Sequence, residues 1–320
     1  MRGSRLAAIV LALGLLAGCG GGEQVKVTEH QRAEVVTGDA QGNVTAKLVD
    51  ALKPVKPSCA RTRTVKKLTE VRCAGYDDAS IHEITILTED EQLIGLTDEL
   101  WSRTDVPNYD NGNLDTSRWD HSRRLVATAF NDVMDLGLDL AELFPAPRAG
   151  VSREQHPGEW DVITWTHSSG EGARFSPTFR ATLPRVKQVE EDLNAVGPAA
   201  AFRADALKEA ASSAGWECSP YERGVCWGDG GTVGVKGKQG AELSWVVAGN
   251  VPAWPTDATA DQALRAALPD GLADQIKQWA TAQSSPAALG VVDGLVVTVE
   301  HYGSQVSTSR GQATRLRAGF

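Results

Sequence analysis

Beyond residue 20 the chain holds four cysteines in two close pairs, Cys59 with Cys73 and Cys218 with Cys226, separated from each other by about 150 residues. In an exported protein an even number of cysteines reads as disulfides. Four cysteines allow three connectivities, and proximity in the chain favours Cys59–Cys73 and Cys218–Cys226. Closing a loop of about 15 residues contributes roughly 3 kcal/mol through the entropy of the unfolded chain, and a shorter loop somewhat less. Zinc is the rival, but neither spacing is C-x2–4-C and no histidine pair stands at ligand spacing. The chain is therefore expected to build its structure around two distant hairpin staples, with no metal.

The surroundings of the two pairs are alike. Leu48–Leu52 and Leu207–Ala211 are short helical patterns, each ending seven residues before its cysteine. The second cysteine of each pair leads into turn residues, Ala74–Asp78 and Trp227–Gly231, and strand-like runs follow at Ile81–Thr88 and at Thr232–Val235 with Glu242–Ala248. The parallel points to an internal duplication; a chance match is the alternative.

Elsewhere Leu125, Val126, Ala129, Phe130, Val133, Leu136, Leu140 and Leu143 recur at helical spacing across Ser117–Phe144, and Pro145 and Pro147 end the run. Gly150–Gly158 reads as a linker, Trp160–Thr166 and Thr178–Leu183 as a strand pair, and Val186–Val196 and Phe202–Ala214 as helices. A helix pair, Thr259–Ala267 and Gly271–Ala282, breaks at Pro269-Asp270-Gly271, and Gly290–Phe320 is strand-rich. Helices alternate with hairpins, which argues for an α+β fold of antiparallel sheets with packed helices and against a parallel doubly wound sheet. The expected organisation is a leader at 1–18, an anchor and tether at 19–43, and α+β domains at 44–149 and 150–320.

At the amino terminus, Arg2 and Arg5 precede a 13-residue apolar run, Leu6–Gly18. That run is short of the roughly 20 residues needed to span a bilayer and has the form of a secretory leader. Leu16-Ala17-Gly18-Cys19 resembles the lipobox of bacterial lipoproteins, and with the Gly20-Gly21-Gly22 tether and the two cysteine pairs the whole is similar to actinobacterial cell-envelope lipoproteins. The resemblance implies cleavage before Cys19, lipidation of that cysteine (palmitate included), and residence on the extracytoplasmic face of the cell membrane. It covers the amino terminus alone and implies location, with no activity attached. Acyl chains contribute about 0.8 kcal/mol per buried methylene, enough for two or three to hold a protein durably.

Without residues 1–18 the chain carries 30 Lys and Arg against 41 Asp and Glu, a formal charge of −11. An acidic body with no cationic cluster argues against nucleic acid as a partner. It is also repelled by an anionic membrane, which favours a domain standing off its anchor.

The motifs of common chemistries are missing. There is no G-x-S-x-G, S-x-x-K, H-E-x-x-H or P-loop. Gly228–Gly231 precedes strands and so reads as a hairpin turn, since a phosphate cradle needs a helix behind it. His167 and Ser168 are neighbours on a strand pattern and point to opposite faces. His82 and His301 read as structural residues within strands, and His121 as a solvated residue near a helix start. Tyr109–Asp115 is rich in oxygen ligands but lacks the EF-hand order. No catalytic, cofactor or metal residue is assigned.

Nine tryptophans stand against six phenylalanines and four tyrosines, and Trp216, Trp227, Trp245 and Trp254 fall within 39 residues. Trp245 lies inside a strand pattern and is expected in the core. Trp216, Trp227 and Trp254 sit in turn-rich segments and are the candidates for an exposed platform that would meet an envelope protein or a glycan. The expected function is an anchored binding or assembly module. A cell-wall glycan or peptidoglycan hydrolase, and a phage-encoded lipoprotein that excludes superinfection, are the alternatives.

Overall fold

The computed structural model describes residues 32–103, 117–144, 153–168, 175–195, 202–222, 224–228, 231–236, 242–249, 251–306 and 309–319. The first half runs β1 (Glu34–Val36), α1 (Val44–Ala51), β2 (Ser58–Val65), β3 (Leu68–Tyr76), β4 (Ser80–Glu89), β5 (Gln92–Ser102), α2 (Ser117–Met134), α3 (Leu140–Leu143), β6 (Arg153–Gln155), β7 (Asp161–Ser168), β8 (Phe175–Thr182) and α4 (Val186–Ala195). The second runs α5 (Ala204–Ser213), β9 (Glu217–Cys218), β10 (Val225–Gly228), β11 (Gly231–Lys236), β12 (Glu242–Ala248), α6 (Ala258–Ala267), α7 (Leu272–Thr281), β13 (Ala287–Val292), β14 (Leu295–Val306) and β15 (Ser309–Ala318).

Two antiparallel sheets result, β1-β2-β3-β4-β5-β8-β7-β6 and β13-β14-β15-β12-β11-β10-β9. Setting β1 and α4 aside, the halves share one topology. A helix leads into four strands, two helices follow, and three strands return so that the last of them pairs with the fourth. Both disulfides occupy the same place in this plan. Cys59 faces Cys73 across β2 and β3, and Cys218 faces Cys226 across β9 and β10. The duplication read from the cysteine surroundings thus has a counterpart in strand order.

The apolar alternation of each strand is buried under helices. Leu48 and Leu52 of the α1 segment and Val126 and Phe130 of α2 pack on Ile84, Ile86, Leu96 and Phe179 of the first sheet. In the second half, Leu207 and Ala211 of α5, Leu264 of α6 and Ile276 of α7 cover Val233, Trp245, Val297 and Leu316.

The opposite faces of the sheets meet each other. Ala60, Ala74 and Ile81 lie against Ala287, Leu289 and Val296, and the small side chains let β13 come close over β2 and β3. Close enough, in fact, for the Leu289 N–H to donate to Ser58 Oγ at 2.7 Å. Beside this layer Glu83 of β4 and Glu300 of β14 bind Arg315 and Arg317 of β15. Arg317 reaches Glu83 at 2.9 Å and Glu300 at 2.8 Å, Arg315 reaches Glu300 at 2.5 Å, and Arg315 also pairs with Glu83. Glu300 is fully buried. Burial works to raise the Glu83 carboxyl, but Arg317 and Arg315 outweigh it and hold it down at about 2.

Three expectations are corrected. The first sheet does not end near residue 149: β6, β7 and β8 return to pair beside β5, so its boundary lies after α4. The proposed tether to residue 43 is too long, because Ala33 N–H already binds Gly294 O at 2.8 Å and β1 pairs with β2. The helix expected over Ser117–Phe144 breaks after Met134, where Asp135 and Gly137 adopt positive φ of 51° and 64°; Asp139 then caps α3. An apolar spacing can persist through a turn whose backbone the helix cannot follow.

Removing one member of a buried ion pair costs about 3–5 kcal/mol, because the partner charge stays buried. Arg315→Met is expected to lose a comparable amount in urea unfolding, since it leaves Arg317 as the one cation facing both Glu83 and Glu300. The depressed Glu83 carboxyl contributes stability that is complete above its ordinary value of 4.5 and is lost as pH falls through about 2. Unchanged unfolding of Arg315→Met would show that the sheets do not depend on the network.

Candidate functional site

Three polar clusters could carry chemistry. The first is sealed. His82 of β4 sits under α2 with Asp98 3.0 Å from Nδ1 and Asp77 3.4 Å from Nε2. Burial raises the Asp98 carboxyl, with His82 opposing, and ionised carboxylates at both ring nitrogens favour a ring protonated at both. Burial alone would lower the imidazole pKa, but Asp98 and Asp77 outweigh burial and raise it to about 9. Asp77 is held well below the usual carboxylate range: burial opposes this, and hydrogen bonds from His82, Ser122 and the backbone N–H groups of Ala79 and Ser80 prevail. The Ser122 hydroxyl oxygen also lies 2.9 Å from the Ser80 hydroxyl. A serine, a histidine and an aspartate thus come together, but His82, Ser80, Asp98 and Ser122 are fully buried, and the ring has no lone pair to take a proton. The cluster fastens α2 to β4 and β5.

The second cluster is a groove of about 360 Å³ on the inner face of the first sheet, beside α4 and beyond the cover of the second sheet. Arg63, Arg72, Arg180, Glu70 and Glu99 line it, with threonines between them. Glu70 is spent: burial would raise its pKa, yet Arg72, Arg63 and Thr62 hold it at about 2. Glu99 is pushed up, first by burial and then by Glu83 directly opposite it on β4. Two carboxylates with pKa values driven apart in one groove resemble an acid–base pair. The register separates them by two strands and four residues, about 17 Å between backbones from ordinary sheet spacings. Glu70 is moreover engaged by Arg63, Arg72 and Thr62, so it is not available to act on a substrate.

The third lies where the halves meet, a cavity of about 380 Å³. His301 of β14 shares a face with Val297 and Val299 and should be roofed by helices as they are, but α7 ends at Thr281 and the cavity opens there. Arg103, just past β5 of the first half, forms another part of the wall, with Val251, Ala253, Gln283 and Ser284.

Thr314, directly across from His301 on β15, sets the ring's tautomer. Its hydroxyl lies 3.0 Å from Gly249 O and 3.2 Å from Val251 O and has one hydrogen, which goes to a carbonyl. His301 Nδ1, 3.0 Å from the same oxygen, is therefore the donor, and Nε2 keeps its lone pair. Burial lowers the His301 pKa, with Glu300 opposing, so the ring is neutral near pH 7. Arg103 donates to the Asp77 carbonyl and lies over the Tyr76 ring, 5.7 Å from its centroid. No carboxylate lines the cavity among the described residues.

The tryptophan platform is not assembled. Trp254 is a correction: it is 1% exposed, and its Nε1 donates to Asp261 at 2.6 Å. Trp216 is half-buried, stacked on Trp245 and lying over Gly228, where a Cβ would collide with it. Trp227 alone of the three is exposed, at 39%. Trp279 covers Gly290 in the same manner. Much of the tryptophan excess therefore fills the space that glycines leave on the second sheet. Trp245 is in the core as expected.

His301 was read as structural, and its position in the wall of this cavity had no signal in the sequence. His167 and Ser168 lie on β7, whereas Ser169, Gly170, Cys19 and Tyr109–Asp115 fall outside the described residues. No family model matches the chain, and neither curated proteins nor solved structures match it.

The raised His82 pKa predicts a stability contribution that is complete below 6.5 and is lost as pH rises through about 9. Urea unfolding between pH 6 and 10 should show this alkaline decline, and His82→Gln should flatten it. A wild-type profile that stays level to pH 10 would mean the imidazolium is absent.

Proposed function

We propose that this protein is a lipid-anchored extracytoplasmic binding module that receives a small ligand in the cavity between its halves. The observation that carries the binding reading is the cavity itself. It joins a cationic Arg103 and a neutral His301 of fixed tautomer, contributed by different halves, to a partly apolar wall. A concave site with a few convergent polar groups is the usual form of a small-molecule site, and about 380 Å³ falls at the small end of the usual 300–1,000 Å³.

The location rests on other features. Leu16–Cys19 supports lipidation at Cys19, and the two disulfides suit an oxidising compartment. The hydrolase alternative gains little from the geometry. Glu70 of the open groove is taken up by Arg63 and Arg72, and the buried histidine is closed to substrate.

Expressed with its own leader in bacteria fed labelled palmitate, the wild-type protein should take up label and sediment with membranes. Cys19→Ser should take up no label and remain as an uncleaved or misprocessed precursor. Absence of label from the wild type would overturn the anchored reading.

A further inference from the structure

The cavity between the halves has two chemically different ends. At one stands Arg103, a guanidinium held by the Asp77 carbonyl and the Tyr76 ring, with no carboxylate pairing it among the described residues. A planar cation fixed in this way favours a carboxylate, which it can meet through two parallel N–H bonds.

The other end offers acceptors. His301 presents the Nε2 lone pair, because Thr314 commits the ring proton to Nδ1. Gln283 donates its amide N–H to Trp279 O at 2.9 Å, which leaves its carbonyl oxygen as an acceptor. α7 terminates at the same wall, with Ala280 and Thr281 lining it, and a helix carboxyl end carries partial negative charge that favours a cation. Between the ends, Val251, Ala253 and Pro286 supply an apolar patch of small side chains.

We propose that the cavity binds a small zwitterion, a free amino acid or dipeptide, with its carboxylate on Arg103, its ammonium donating to His301 Nε2 beside Gln283, and a small aliphatic side chain on the Val251–Ala253 wall. The inference rests on the binding reading above and deepens it by naming the ligand class. A simple anion makes the opposite demand on His301: it is better held by an imidazolium and raises the ring's pKa, whereas an ammonium donating to Nε2 keeps the ring neutral.

Imidazole NMR of the detergent-solubilised full-length protein distinguishes the cases, with calorimetry giving affinities. The probes are L-alanine, L-alanyl-L-alanine, propionate, propylammonium and inorganic phosphate. At least one zwitterion should bind tenfold or more tightly than propionate or propylammonium, shift the His301 resonances and lower that residue's pKa. Arg103→Met should weaken zwitterion binding at least tenfold with an unchanged circular dichroism spectrum, and His301→Phe should do the same. Because the resonance shifts are read on the wild-type protein, the test holds even if a variant fails to fold. If propionate or phosphate binds as tightly as the zwitterions, or raises the His301 pKa on binding, the zwitterion assignment is overturned and the cavity remains a binding site for anions. If none of the five probes moves the His301 signals, both the assignment and the cavity's role in binding fall.

Discussion

The four-charge contact between the sheets governs how the halves fit together. Glu83 comes from the first sheet, and Glu300, Arg315 and Arg317 from the second, and each acid touches both arginines. Buried charges tolerate little displacement, because any gap leaves a desolvated ion without its partner. The neighbouring alanines let the sheets approach, and the ions determine where they stop and in which register. Arg315 adds a further constraint by lying over the rings of Trp101 and Tyr302, 5.0 and 5.3 Å from their centroids. A hydrophobic layer alone could slide; this one is pinned.

Once the sheets are pinned, the ends of β5 and β14 are brought to one place, and Arg103 and His301 come to share a cavity although they are almost 200 residues apart in the chain. Each is oriented by its own half. The Asp77 carbonyl and the Tyr76 ring hold Arg103, and Thr314 holds His301. The site is thus a product of the junction, and neither half contains it alone. The same division of labour explains the His82 cluster. It stiffens the first half beneath α2, close to the segment that carries Arg103, and through Asp77 it is part of the arginine's support.

The shared strand order of the halves shows how one plan can serve two ends. In the first half the inner face beyond the contact is covered in part by α4, through Val186, Val189 and Leu193, which leaves the arginine-rich groove beside it. In the second half α7 stops short of His301, which leaves the cavity. The differences lie where helices end, while the strands and the disulfide positions repeat.

The sequence by itself determined the local features. Alternating apolar residues marked β4, β7, β8 and β12, helical spacing marked α5, α6 and α7, and the two close cysteine pairs marked the stapled hairpins, because periodicity and short loops are properties of neighbouring residues. β5 was not recognised, and the boundary drawn near residue 150 was wrong, because β6–β8 return across more than 70 residues to complete the first sheet. Strand pairing over such distances leaves no local trace. Trp254 was read as exposed from its turn-rich surroundings, yet the fold buries it against α6, where Asp261 satisfies its N–H. His301 was assigned correctly to a strand, and its place in the wall of the cavity was not foreseen. Its tautomer depends on Thr314 and on two carbonyls from another segment, and its access depends on where α7 terminates. Only the tertiary structure decides these, since they arise from groups distant in the chain that become neighbours after the sheets have packed.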